Sequence, residues 1–291
     1  MFPLSIPAAA AAIELPLLKR TGGDCVTVAR LRWHTDYENA CCEAKCAERM
    51  LLVNFLPEGN TATQLRLDRW IAEDASLRAK LKNCVLVRLP RDAKIGTLRK
   101  RHRLIDDPAF QHLGGQAGLA IIDYRPSRKP YYGRVVTALP FTSGKYYRWK
   151  NSHLAVALDL PPGTITQRTM VWAIRVHPEA PASTTGRQDA VLVQAATQHS
   201  AYQARVGVQG HQRFDQRYQL VRAKTGAATA SEVVAESWPH QNLIDSCLDC
   251  VQSWRHSPGH WRAVRARHRL FGYDIRRGRN AIWYGTGIFA D

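Results

Sequence analysis

The chain has no uninterrupted apolar run of the ~18–20 residues that a membrane-spanning helix needs, which excludes a helical span. Acid is scarce: 24 Asp and Glu face 41 Lys and Arg, a formal charge of +17. Lysine is scarce within that excess, with 10 Lys beside 31 Arg. Such a balance favours acidic partners such as nucleic acid, anionic lipid heads or acidic cell-wall polymers. It does not choose among them, because genome composition alone also enriches Arg. Internal repeats are absent, and the alanine run at 8–12 is the one low-complexity tract. With 45% hydrophobic and 22% charged residues over 291 positions, a disordered or collagen-like chain is excluded and one or two domains are expected.

Residues 1–18 are apolar, but no Lys or Arg precedes the apolar stretch, Glu14 interrupts it, and Pro3, Pro7 and Pro16 break its helix. These features argue against a secretion signal, and residues 1–29 are left as an unassigned leader. Seven cysteines leave one over if the others pair. Cys42 and Cys46 share one face of a helical pattern. Cys247-Leu248-Asp249-Cys250 is a CxxC inside an amphipathic helical pattern, with no second CxxC to complete a four-Cys zinc site. Small-residue helix packing is its first reading, and a disulfide or metal role is the alternative.

Apolar residues recur at helical spacing over 33–49 and again over 61–81. Continuous apolar runs at 50–55 and 84–89 read as buried strands, and 119–124 with 133–139 as a hairpin. This order over residues 30–142 resembles a thioredoxin-like domain. The resemblance rests on the helix leading into Leu51-Leu52-Val53-Asn54-Phe55 and on Gly118-Leu119-Ala120-Ile121-Ile122-Asp123-Tyr124 opening the hairpin. No Cys occurs between 47 and 83, and Gln116-Ala117-Gly118 stands where the family has its cis-proline, so redox catalysis at the family's usual site is excluded. Residues 143–187 read as a connector, with Thr166 capping a short helix over 167–176 and an irregular stretch over 177–186.

Residues 189–206 form the clearest helical pattern, followed by Gln209-Gly210-His211. An extended segment ending in Ala235-Glu236-Ser237-Trp238 precedes a helix over 242–254. Then come Trp254, Ser257-Pro258-Gly259-His260, and two strands at 270–275 and 281–289. These features in this order resemble the CAP superfamily (SCP-like; cysteine-rich secretory, antigen 5 and pathogenesis-related proteins) over residues 188–291. The Ser-Pro-Gly-His piece resembles its bacterial branch. The whole chain is therefore expected to be α/β with two domains, a thioredoxin-like unit followed by a three-layer α-β-α sandwich.

The CAP resemblance implies a cleft lined by two His and two acidic residues, and export to the periplasm, envelope or exterior. His211 and His260 match the histidines and Glu236 matches the glutamate of the Gly-Glu-Asn motif, while Ser257 stands where the second acid belongs. Two imidazoles and a carboxylate suit Zn2+ or another divalent cation, with a position left for water. The alternative is that His211 and Glu236 hydrogen-bond across the cleft and satisfy buried polar groups. The leading expectation is a non-enzymatic binding or envelope-associated protein for a cell-wall, lipidic or small-molecule ligand. A metal-dependent hydrolase using the same cleft is the first rival. The second is a nucleic-acid-binding module using the basic stretches 88–103 and 262–279, each with seven Lys or Arg and the latter interleaved with Phe271 and Tyr273. A serine hydrolase is rejected, because Ser200 and His199 point to different faces of one helix and Ser257 has no oxyanion-hole motif.

Overall fold

The computed structural model describes residues 19–21, 25–59, 61–96, 101–126 and 129–291; residues 1–18 of the leader expected over 1–29 and positions 97–100 of the first basic stretch lie outside them, whereas 19–21 and 25–28 of that leader are strands. The chain is mixed α/β. The first described elements are β1 (Lys19–Thr21), β2 (Cys25–Val28) and β3 (Leu31–His34), an antiparallel run. Trp33, read as helical from its spacing, is instead buried in β3. The helix α1 (Tyr37–Cys46) starts later because Asp36 caps it, its carboxylate accepting the Asn39 amide at 2.8 Å.

The apolar runs become β4 (Met50–Leu56) and β5 (Cys84–Pro90), parallel neighbours covered on both faces. Between them the single helix expected over 61–81 is two, α2 (Ala62–Glu73) and α3 (Ala75–Lys82). Asp74 divides them: its extended backbone ends α2, and its side chain accepts the Leu77 amide at 2.9 Å to cap α3. A small ribbon, β6 (Lys94–Ile95) with β7 (His102–Arg103), precedes the hairpin β8 (Gly118–Asp123) and β9 (Val135–Pro140). The large sheet has the order β1-β2-β3-β5-β4-β8-β9.

Residues 143–187, read as a connector, hold α4 (Ser152–Leu158) and α5 (Ile165–Arg175). A capping box at Thr164 and Gln167, two residues before the expected cap, starts α5. Met170, Val171, Trp172, Ala173 and Ile174 of α5 are all buried. This helix packs on β9 and also on the elements that follow it, so one apolar cluster runs from Trp33 and Leu52 through Trp172 to Trp254 and Tyr273.

The second sheet has the order β10-β12-β13-β11, from β10 (Arg187–Gln188), β11 (Ala230–Glu236), β12 (Leu270–Arg277) and β13 (Trp283–Ala290). Its helices are α6 (Ala190–Val206), α7 (Phe214–Thr225), α8 (Leu243–Arg255) and α9 (Pro258–Arg265). Strand alternation divides the two faces: Phe271, Tyr273 and Ile275 join the cluster with α5 and α8, while Leu270 and Ile288 join Leu192, Ala195 and Ala196 of α6. No helix among the described residues is long and apolar enough to cross a membrane.

Candidate functional site

Three buried polar side chains of α6 shape the loop that follows it. Ser200 donates to the Asp274 carbonyl at 3.0 Å, and the Gln203 amide nitrogen donates to Thr286 Oγ1 at 3.1 Å. The Gln203 side-chain oxygen accepts the Gly210 amide at 3.0 Å, and His199 Nε2 lies 2.8 Å from the Gly210 carbonyl. The loop is thereby pinned one residue before His211. Arg213, with φ 58° in the left-handed region, then turns the chain into α7.

His211 Nδ1 lies 2.9 Å from Glu232 Oε1, and its Nε2 lies 3.3 Å from His260 Nε2. Arg217 of α7 grips the same carboxylate with two parallel bonds, Nε to Oε2 at 2.7 Å and Nη2 to Oε1 at 2.8 Å. The Glu232 side chain is fully buried, whereas His211 is 44% exposed, so the imidazole pair opens to solvent above a closed carboxylate. Burial alone would raise the Glu232 pKa, but the bonds from His211 and Arg217 and the nearby positive charge outweigh it and hold the carboxyl below its ordinary range. An ionised Glu232 can only accept, so His211 donates through Nδ1 and, when neutral, turns the Nε2 lone pair toward His260. Burial and then the neighbouring His211 lower the His260 pKa, which keeps that ring neutral near pH 7.

Of the residues picked from sequence, His211 and His260 come together. Glu236 does not: it lies exposed at the end of β11, and no hydrogen bond or ion pair links it to either imidazole. Glu232 and Glu236 share a strand face but stand four residues apart, about 13 Å along the strand, and only the former sits beneath His211. A carboxylate beside Val233 and Val234 in mid-strand must be paired to be buried, which is the signal that could have singled out Glu232. Ser257 starts α9 with no side-chain cap bond and contributes its carbonyl to the Trp261 amide at 2.8 Å.

Among the described residues no group of three or more His, Cys, Asp or Glu is arranged around a cation position. The carboxylate orients one imidazole from behind and leaves two nitrogens in front. None of the seven cysteines is in a disulfide, and Cys247 and Cys250 are fully buried in α8 with both thiol pKa values pushed up by that burial. The CxxC is helix packing. Beside the Glu232 side of the site a cleft of about 250 Å³ runs between α6 and α7, lined by His199, Tyr202, Arg213 and Arg217 among others.

The described residues of the two basic stretches fall into separate environments. Arg88 is buried and paired with Asp68 at 2.5 and 3.0 Å, with its guanidinium over the Trp33 ring. Phe271 and Tyr273 are core residues, so bases cannot stack on them. Arg262 and Arg265 do line an open groove of about 430 Å³ with Trp261 and Pro258.

No family model, curated protein or solved structure matches the chain.

Proposed function

We propose that the chain is a ligand-binding protein whose His211–His260 pair takes a divalent cation, zinc first, and through it an oxygen-bearing small or lipidic ligand. The 3.3 Å separation of the two Nε2 atoms carries this reading. Zn–N bonds of about 2.0–2.1 Å meeting at a tetrahedral angle put two ligating nitrogens roughly 3.3 Å apart. A carboxylate behind a metal-ligating His is the arrangement that fixes its tautomer and raises its basicity, and Glu232 stands there. A bound divalent cation would supply Lewis acidity and positive charge to an anionic ligand. Two imidazoles leave coordination positions for that ligand, and the exposure of His211 gives it access.

The arrangement favours binding over hydrolysis. Both Glu232 oxygens are held by Arg217, and one also by His211, so this carboxylate is not free to act as a general base. The CAP-like reading draws support from the element order of residues 188–291 and from a glutamate paired with one of the two histidines, His211, whose other nitrogen faces His260. It moves the family's glutamate from Glu236 to Glu232, within Ser231-Glu232-Val233. The order β3-β5-β4-β8-β9, with β8 antiparallel to β4, supports the thioredoxin-like reading of the first half.

Calorimetric titration with zinc tests the proposal. One-to-one binding is expected in the wild type and in Glu236→Ala, and no binding in the His211→Ala/His260→Ala double variant. Equal binding in the wild type and the double variant would sink it and point to cysteines or surface histidines instead.

A further inference from the structure

A second cluster of chemistry-bearing side chains lies at the opposite end of the chain and shares no residue with the imidazole pair. Cys25 and His34 are opposite one another in the β2–β3 ladder, so their side chains share a face. His34 Nδ1 lies 3.7 Å from Cys25 Sγ, and His34 Nε2 lies 2.9 Å from Glu43 Oε2 on α1. Arg32 spans the pair, with Nε 3.2 Å from Sγ and Nη1 3.1 Å from Glu43 Oε2, and Arg49 Nη2 holds the other Glu43 oxygen at 3.1 Å. We propose that Cys25, His34 and Glu43 act as nucleophile, base and orienting carboxylate, and that Cys25 is a site of oxidation by small hydroperoxides.

The roles follow from the contacts. Glu43 is a positioning residue. The bonds from His34 and the charges of Arg32 and Arg49 outweigh partial burial and keep its carboxyl below the ordinary range. As an acceptor it takes the His34 Nε2–H, which turns the Nδ1 lone pair to the thiol. The Arg32 guanidinium stands where negative charge develops on sulfur. A pocket of about 170 Å³ lies on the His34 and Glu43 side of this group and is lined also by Arg49, Lys82 and Cys84. Cys25 stands behind that lining and is itself 9% exposed, so an oxidant as small as hydrogen peroxide or a short-chain hydroperoxide is the class that reaches its sulfur. The other buried thiols lack an imidazole: Cys41 touches Tyr124, and burial pushes the Cys84 thiol up to about 11.

In the step itself the Sγ–H proton passes to His34 Nδ1 as sulfur attacks one peroxide oxygen. The S–O bond forms as the O–O bond breaks. The departing hydroxide or alkoxide takes the proton from the imidazolium, giving Cys25 sulfenic acid and water or an alcohol. Sulfur gives up two electrons and the peroxide receives them.

The test is a brief hydrogen peroxide pulse on the full chain, with dimedone trapping of sulfenic acid and mass-spectrometric mapping. Cys42 and Cys46 are exposed and serve as internal references. Cys25 is expected to trap about tenfold faster than either, because a general base contributes about 100-fold or more and burial of the thiol offsets part of that gain. His34→Gln should remove that advantage and leave Cys42 and Cys46 unchanged. Glu43→Gln should slow Cys25 and alter the pH profile of its rate, and Glu43→Asp should partly restore both. Trapping at Cys25 no faster than at Cys42 in the wild type overturns the proposal, whatever the variants do. So does a folded His34→Gln that traps at the wild-type rate.

Discussion

Arg217 and Glu232 form a two-bond fork inside the protein, with the Glu232 side chain fully buried and the Arg217 side chain 13% exposed. Replacing Glu232 by Gln leaves the cation without its charge partner and frees His211 to adopt either tautomer. Chemical denaturation of Glu232→Gln should show a loss of about 3 kcal/mol. Its zinc affinity should fall about 10- to 100-fold, the usual effect of removing a carboxylate behind a metal-ligating His. Glu236→Gln, four residues along the same strand face, should change neither. An unchanged denaturation midpoint in Glu232→Gln would contradict the buried pair.

Acid should weaken the fold before its carboxylates titrate. His153 is buried against Trp172, Trp149 and Tyr147, and burial, followed by the nearby Lys150 charge, pulls its pKa down to about 4. The unfolded chain accepts that proton near pH 6.5 and the folded one does not. The stabilisation is therefore full above pH 6.5 and is lost as pH falls toward 4, a range on the order of 3 kcal/mol. The lowered pKa values of His199 and His260 act with the same sign. Urea midpoints from pH 7.5 to 4.5 should fall steadily in the wild type and less steeply in His153→Gln. Parallel slopes would remove His153 from this account.

Sequence periodicity was most informative where apolar residues are contiguous or strictly spaced. β4, β5, β8 and β9 could be read from the sequence because their residues are buried on both faces, and α6 because its stripe is broad. Helix α7 was not legible: Val221 is its one buried residue, so it carries almost no apolar period, and Arg217 holds it to Glu232 instead. Boundaries were lost where a single capping Asp decides them, as at Asp36 and Asp74. The histidines of the site could be found by motif order. The acid was missed because both glutamates have the same strand parity, and only the mid-strand place of Glu232 beside Val233 and Val234 sets it apart from Glu236 at the strand's end.

Gly144 lies against the Asp245 carboxylate: a Cβ there would stand 1.9 Å from Oδ2. Asp245, in the first turn of α8, accepts the amides of Lys145, Tyr146 and Tyr147 at 2.8, 2.9 and 2.7 Å, joining the chain after β9 to the second half of the molecule. Asp245→Ala strands three amides, and Gly144→Ala displaces the carboxylate that holds them. Each should cost about 2–4 kcal/mol in thermal or urea unfolding. The double variant should lose much less than the sum, since both changes break one contact. Additive losses would show that Gly144 and Asp245 act separately.

Arg168 is fully buried and forms no ion pair among the described residues, the Asp123 charge acting on it only from a distance; burial pulls its pKa down to about 10, still cationic at neutral pH. Its charge is met by oxygens: Nη2 donates to the Ala157 carbonyl at 2.9 Å, Nη1 to those of Leu160 and Pro161 at 3.0 and 2.9 Å, and Nε to Thr137 Oγ1 at 3.2 Å. Carbonyls at a helix end carry partial negative charge and lack partners within the helix. One side chain of α5 thereby closes the end of α4 and ties both helices to β9. Arg168→Ala should lower stability by about 3 kcal/mol, because several buried carbonyls lose their donor at once. Hydrogen exchange should quicken in α4 more than in α6, to which the Arg168 side chain makes no hydrogen bond. Lys at this position keeps the charge but lacks the planar fork, so Arg168→Lys should recover less than half of the loss. Full recovery by Lys would mean that charge alone, and not the fan of donors, holds the junction.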